Sequence, residues 1–458
     1  MKLWAVMGGI LLVSSGCDTE ETGGGQGASG GGGNGEGGSV PIECPTPTAG
    51  PTIHDQDVNA PETWTADASP HIIPGDRSIY AALTIDPCAT VQIAPKATVS
   101  VNPGGSVTAN GEADKPVMIG QRDKGEHWAA IRALGGGTVS FTHTTIEGGG
   151  DPLNIIPDYQ AMLDVRGDQY LPPQEILHAD HLVVRDSLTQ GIYLREGGGF
   201  SSTSTDVTVT DAAGYPIHTW ANLAGTLPTG TYTGNANDEI LISGQSGYET
   251  IADWDVTFHN LGVPYKVGHS GSFGELNVSA QTGVPTLTIE PGVTLRFKKG
   301  GSLYVSFYAS EGPANGALIA AGTPGNEIVF TSAEPSPAPG DWYGIRYGGS
   351  ADPTNVLDHV IVDYAGLTPS GSGSASCVYS GGDENDAAIR LIGAGSPANV
   401  FITNTTVRNS ASHGIDRGYF GDPTLDFMAG NSFEAVAKCR QTYPRPETGS
   451  CPDPVPCP

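Results

Sequence analysis

The phrase Leu83-Thr84-Ile85-Asp86-Pro87 returns as Leu287-Thr288-Ile289-Glu290-Pro291, an offset of 204 (287 against 83). His127-Trp128-Ala129-Ala130-Ile131 returns as Asp341-Trp342-Tyr343-Gly344-Ile345, with the tryptophans offset by 214 (342 against 128). Val184-Arg185-Asp186-Ser187 with Gly191-Ile192 returns as Val407-Arg408-Asn409-Ser410 with Gly414-Ile415, an offset of 223 (407 against 184). Offsets that grow in steps mark one duplicated unit whose second copy has longer loops. Trp64 and Trp254 open the two copies with looser similarity. A repeat on this scale restricts the chain to a solenoid or to paired domains of one.

The residues inside the repeat decide what is stacked. Leu287/Ile289, Val293/Leu295/Phe297 and Leu303/Val305/Phe307 alternate with polar residues, the period of half-buried strands. Pro291-Gly292 and Gly300-Gly301 break the chain after each short run. The first copy supplies the same inward series as Leu83/Ile85, Val91/Ile93, Val99/Val101, Val117/Ile119, Ile131 and Val139/Phe141. The second continues with Ile328/Phe330, Ile345 and Val360/Val362, and Asp206-Val207-Thr208-Val209 and Asp238-Glu239-Ile240-Leu241-Ile242 add strands between the copies. With 66 Gly and 35 Pro but only 15% charged residues, the composition suits turn-rich β structure and not helix.

The LTIDPCATV/LTIEPGVTL and FTS…GDWYGI phrases resemble those of secreted bacterial proteins with a right-handed parallel β-helix, the fold shared with pectin lyases. The resemblance covers most of residues 63–435 and implies an all-β, right-handed parallel β-helix solenoid built from two tandem related units. Composition and the repeat divide the chain into a signal peptide (1–16), a lipidated cysteine with a Gly-rich tether (17–50), two β-helix units (51–252 and 253–441) and a Pro/Cys-rich tail (442–458). At 20–25 residues per coil and about 4.8 Å between strands, the body is expected to be roughly 70–80 Å long.

The amino terminus reads as an export signal: Lys2, an apolar run from Leu3 to Val13, then Ser14-Ser15-Gly16. Val-Ser-Ser-Gly-Cys, ending at Cys17, resembles the bacterial lipobox, which implies lipid on Cys17. Asp18 to Val40 is nearly all Gly with Ser, Glu, Asn and Gln, a flexible tether spanning roughly 25–30 Å. The expected partners are a membrane, through this lipid, and a carbohydrate or another cell-envelope component. The expected place is the bacterial cell envelope, outer membrane or cell surface in preference to the inner membrane. A net charge of −28 argues against nucleic acid, whose phosphates require clustered Lys and Arg.

Six cysteines remain beside Cys17: Cys44, Cys88, Cys377, Cys439, Cys451 and Cys457. An even number in an exported chain implies disulfides, with 15 connectivities open for six. Proximity favours Cys44–Cys88, Cys377–Cys439 and Cys451–Cys457. The first and last groups fall where a solenoid needs its ends capped.

Residues that could carry chemistry are few. The β-helix lyases use carboxylates on calcium with an Arg or Lys base, and the related glycosidases use close Asp pairs. Here no Asp-Asp pair, Asn-Thr-Asp, Gly-His-Gly or Arg-Ile-Lys occurs, and Ser412-His413-Gly414 only brushes the pattern. Arg185-Asp186 would supply a lyase base and a calcium ligand. Its recurrence as Arg408-Asn409 marks instead a coil corner, with the Asx side chain bonding turn backbone. His143 and His359 also recur and read as structural. His178, Asp180 and His181 could offer metal ligands, with His178 and Asp180 on one strand face about 7 Å apart, but no third partner is identifiable. No cofactor is called for. Asp383-Glu384-Asn385-Asp386 is an oxygen-rich loop of the kind that takes Ca²⁺, without the DxDxDG spacing that would specify it. Trp128 and Trp342 read as core or corner residues. The expectation is a non-catalytic, lipid-anchored binding or structural protein. A polysaccharide lyase or glycoside hydrolase on the same scaffold is the alternative, with no catalytic residue assigned.

Overall fold

The computed structural model describes residues 43–153, 160–243, 248–252, 254–269, 271–306, 308–309, 312–313, 315–349, 351–368, 386–393, 395–421, 424–445 and 457. The signal segment, Cys17 and the Gly-rich tether lie outside them. Among the described residues no helix is long and apolar enough to cross a membrane.

The alternation read from the sequence is the fold. Every residue of both inward series is buried except Phe307, whose side chain lies outside the description. Because each strand is too short to bury its apolar side alone, the coils stack and share one continuous core. The chain is a parallel β-helix with three faces. Thirteen parallel strands, from Arg77–Ile79 to Ser432–Glu434, form one unbroken sheet, here called the spine. A second face follows the spine in each coil and a third leads back to it. On both, the ladder breaks once: six and six strands on the second face, eight and five on the third.

The break has a local cause. After spine strand Ile217–Thr219 the chain makes a 3₁₀ turn, Ala221–Thr226, where a second-face strand would stand. Thr226 Oγ1 accepts the Phe200 N–H at 3.2 Å, so the turn terminates the strand Gly198–Phe200 on that face. Among the described residues only the spine ladder passes through, in the register His218–Leu241–Lys266.

Coil length departs from expectation. From Arg77 to Ser432 the spine makes twelve steps, about 30 residues each, because long loops leave the corners. Thirteen strands at about 4.8 Å give a spine of roughly 58 Å, shorter than the 70–80 Å expected from compact coils.

The recurring phrases occupy equivalent corners, one face apart. Leu83–Ile85 lies on the second face and Leu287–Ile289 on the third. Ile131 lies in the spine, Ile345 on the second face. Arg185 lies on the third face, Arg408 in the spine. Local bonding is nevertheless shared. Trp128 Nε1 donates to the Glu147 carbonyl (2.9 Å) and Trp342 Nε1 to the Asp363 carbonyl (2.8 Å). Ser187 Oγ donates to the Gln190 carbonyl and Ser410 Oγ to the His413 carbonyl. What recurs is a corner, and the corner is indifferent to which face it serves.

Disulfide Cys44–Cys88 ties the amino-terminal segment to the first coils, as proximity predicted. At the other end Cys439 pairs with Cys457, which corrects both remaining pairings, since Cys439 cannot also hold Cys377 and Cys457 cannot also hold Cys451. The reason is the continued ladder beyond Gln441. Bridges Ile415↔Gln441 and Phe420↔Arg445 hold the chain against the last coil. Cys377 and Cys451 lie outside the described residues.

Candidate functional site

Coil corners account for most of the charged candidates. Asp186 (φ 56°) and Asn409 (φ 51°) stand in the left-handed region, which Asx tolerates best after glycine. Their arginine neighbours reach back one coil: Arg185 Nη2 lies 2.6 Å from Glu147 Oε2, and Arg408 Nε 2.7 Å from Asp363 Oδ2. Asn409 Nδ2 donates to Asp363 Oδ1 at 2.8 Å, and Asp186 Oδ1 lies 3.5 Å from His127 Nε2. The Asx side chains therefore bond side chains of other coils, and not the turn backbone the sequence led us to expect. Arg185 is an ion-pair partner.

His143 (φ 41°) and His359 (φ 52°) are likewise left-handed corner residues. His181 (φ 54°) stacks on His143 at 4.4 Å, and its Nδ1 lies 2.6 Å from Asp180 Oδ1. His178 turns elsewhere, with Nδ1 3.0 Å from Ser201 Oγ and 3.2 Å from Thr203 Oγ1. His178, Asp180 and His181 thus divide between two bonding sets. Among the described residues no three His, Cys, Asp or Glu groups are placed to hold a metal ion. Asp383, Glu384 and Asn385 lie outside the described residues, and Asp386 is buried 3.9 Å from Arg390 Nη1. Ser412 and His413 are fully buried, with His413 Nδ1 accepting the Cys439 N–H. Trp128 and Trp342 are fully buried, Trp342 stacked on Phe297 at 4.5 Å.

The polar organisation that the sequence did not reveal runs along the outside of the spine. Strand alternation turns Ile131/Ala133, Leu163/Val165 and Ile192/Leu194 inward. It therefore sets Arg132, Asp164, Tyr193 and His218 in one outward row, each in register with the next. Asp164 is the hub, only 4% exposed. Arg195 grips it with Nε–Oδ1 at 2.9 Å and Nη2–Oδ2 at 2.8 Å. Arg166 adds Nε at 3.3 Å and Nη2 at 3.1 Å to Oδ2, and Arg132 Nε stands 3.7 Å away. Burial pushes the Asp164 carboxyl up, but the Arg195 bonds and the surrounding positive charge more than offset this and hold it below the ordinary carboxylate range. Burial lowers the Arg132 guanidinium; Asp164 pulls the other way, Arg166 and Arg195 add to the lowering, and the net direction is down.

Further along the row Tyr193 stacks on His218 at 4.1 Å, and His218 Nε2 lies 2.7 Å from Ser243 Oγ. That is nucleophile-and-base spacing. Both side chains are fully buried, so no substrate carbonyl can reach the hydroxyl where it stands.

Beside the Asp164 cluster the surface opens. The corner where the spine turns onto the second face forms a groove of about 720 Å³, with Gly135, Gly136 and Gly167 among its lining residues. Gly136 needs its positive φ of 98° to make the turn. Asp168, Gln169, Gln174 and Glu196 give it polar edges, and Tyr170 (83% exposed) and Leu171 (49% exposed) stand over it. The loop carrying Tyr170 is braced from within. Gln174 accepts the Asp168 N–H and donates to the Asp168 carbonyl, and Asp168 Oδ1 accepts the Tyr170 N–H. An aromatic displayed this openly on a braced loop is available for face-on contact with a ligand ring.

Fold and groove together define the class: a parallel β-helix solenoid with an open, mostly polar groove at one corner. No family model, curated protein or solved structure matches the chain.

Proposed function

We propose that this chain is an exported, lipid-anchored, non-catalytic β-helix protein that presents a binding surface to carbohydrate or to another component of the cell envelope. In this reading Cys17 carries the lipid, the Gly-rich tether lets the solenoid stand off a bacterial outer membrane or cell surface, and the groove under Tyr170 is the contact surface. The observation that carries the reading is the groove itself. It combines an exposed aromatic, Gln, Asp and Glu edges, and wide access, which suits a flat, hydroxyl-rich ligand. Arg185, the residue a lyase mechanism would use as base, is instead tied to Glu147.

The test is retention of the detergent-solubilised full chain on insoluble neutral and acidic polysaccharides, wild type against Tyr170→Ala. Tyr170 is exposed, so the substitution leaves the core intact. Stacking of this kind contributes about 0.5–1.5 kcal/mol, at most roughly a tenfold loss of affinity. Retention that does not depend on Tyr170 would place binding elsewhere on the solenoid.

A further inference from the structure

The three arginines around Asp164 exceed what the cluster requires for its own neutrality. Asp164 compensates one positive charge, and Glu196 Oε1, 3.9 Å from Arg195 Nη1, compensates a second. Among the described residues one positive charge is left at contact range, on a chain whose overall balance is −28. Asp76 acts on Arg132 only at longer range, and its Oδ1 already accepts the Thr98 N–H. The excess is accessible, since the Arg132 and Arg166 side chains are 22% and 30% exposed. It also lies beside the groove, because Gly167 follows Arg166 and Glu196 follows Arg195, and both line it.

The hydrogen-bond pattern narrows the kind of anion. A planar carboxylate is held by two parallel N–H groups of one guanidinium, on its Nε/Nη2 edge or on its Nη1/Nη2 edge. On Arg195 and Arg166 the Nε/Nη2 edge already faces Asp164. On Arg132, Nε makes no hydrogen bond but points to Asp164 from 3.7 Å, and Nη2 reaches Gln160 Oε1 at 3.5 Å. What is left lies at the Nη1/Nη2 ends of Arg132 and Arg166, on two different side chains. A tetrahedral oxyanion, with three terminal oxygens spread in space, can engage both ends at once, whereas a planar carboxylate that takes one fork leaves the other arginine unused.

We propose that the groove and the Asp164 cluster form one site for a saccharide bearing a sulfate or phosphate ester, with the sugar ring under Tyr170 and the ester group on Arg132 and Arg166. Asp164 is a positioning residue: it holds three mutually repelling guanidinium groups in place by their Nε edges. The inference rests on the saccharide reading of the groove and adds the charge of the ligand to it.

The test uses the full chain in detergent and one cello-oligosaccharide in four forms: unmodified, and carrying a 6-sulfate, a 6-phosphate or a 6-carboxylate. Calorimetry should show the sulfate or phosphate form binding about tenfold more tightly than the neutral and carboxylate forms, the worth of one well-placed charge-assisted bond. Comparison of the two esters tells which one the site takes. Arg132→Gln and Arg166→Gln should erase the preference without weakening the neutral ligand, and Tyr170→Ala should weaken all four forms alike. Equal binding of the four forms, or tightest binding of the carboxylate, overturns the anion site while leaving the saccharide reading standing. No binding of any form, with inorganic sulfate still titrating an Arg132-dependent site, overturns the saccharide reading and with it this ligand class. The ligand comparison is made on the wild-type chain, so it decides the matter even if an arginine variant fails to fold.

Discussion

Replacing Asp164 by Asn removes one charge and almost no volume, and leaves three guanidinium groups facing one another. The carboxylate is 4% exposed and bound twice by Arg195, so solvent screening gives little relief. Breaking one side of a buried ion pair costs roughly 3–5 kcal/mol. The Arg166 contact, with its arginine 30% exposed, adds less and is counted within that range. A solenoid need not unfold as one unit, so the suitable readout is local. Amide exchange should be followed in peptides covering Ala130–Ala133, Ala161–Arg166 and Gln190–Arg195. At about 1.4 kcal/mol per decade, the Asn variant should exchange between a hundredfold and a few thousandfold faster in those strands. Strands at the far end, such as Thr406–Arg408 and His413–Asp416, should be unchanged. The effect also has a pH signature. The folded carboxyl titrates below its unfolded value, so its stabilisation is complete above about pH 4 and is lost as pH falls through the folded value. The gap between wild type and variant should therefore close in acid. Exchange within threefold of wild type at pH 7 would refute the hub, and a gap that widens in acid would refute the assignment of charge.

Three further outcomes follow from the same geometry. Trp342→Phe keeps the stack on Phe297 but leaves the Asp363 carbonyl without its indole donor, and should cost about 1–3 kcal/mol in denaturant-induced unfolding of the second half. At the amino-terminal end His71 Nε2 meets the Thr65 carbonyl at 2.9 Å, which leaves Nδ1 to accept from His54 Nε2 at 3.0 Å. Burial lowers both imidazoles, with the His71 charge adding to the effect on His54 and Glu62 opposing it. Both titrate below about 6.5 when folded, so their contribution is complete above that pH and lost as pH falls. Exchange corrected for intrinsic rate should accelerate in Thr52–Ile53 and His71–Ile73 between pH 7.5 and 5.5, and equal protection at the two values would count against it. Cys17→Ser should release the protein from the membrane fraction, and persistence there would rule out the lipid anchor.

The coils are legible in the sequence because period-two alternation and Pro-Gly corners are local. Leu83/Ile85 and Leu287/Ile289 are buried for the reason their spacing implies. The tryptophans, the histidines at 143 and 359 and the Arg-Asx pairs were recognisable as corner residues because they recur with the strands. The Asp164 cluster was not legible, although its parts were in view as Ile131-Arg132, Val165-Arg166-Gly167 and Leu194-Arg195. Alternation tells that Asp164 and Arg166 point outward. It does not tell which coil lies beside which, because the loops between coils vary in length, and only register brings Arg132, Asp164 and Tyr193 into one row. The same limitation hid the one-face displacement of the recurring phrases, since a matching corner carries no record of the face it serves. The cysteine pairs at the carboxyl terminus failed for a related reason. Proximity along the chain favoured Cys451 for Cys457, but the ladder to Arg445 brings the tail back to Cys439.

The claim that the chain binds and does not turn over its ligand is tested most directly by incubating the detergent-solubilised full chain with uronate-containing, sulfated and neutral polysaccharides. Retention and product are measured on the same samples. The account predicts Tyr170-dependent retention with neither unsaturated ends nor new reducing ends. Product that accumulates with the wild-type chain and disappears with Arg185→Ala would contradict it and make the protein a lyase or hydrolase.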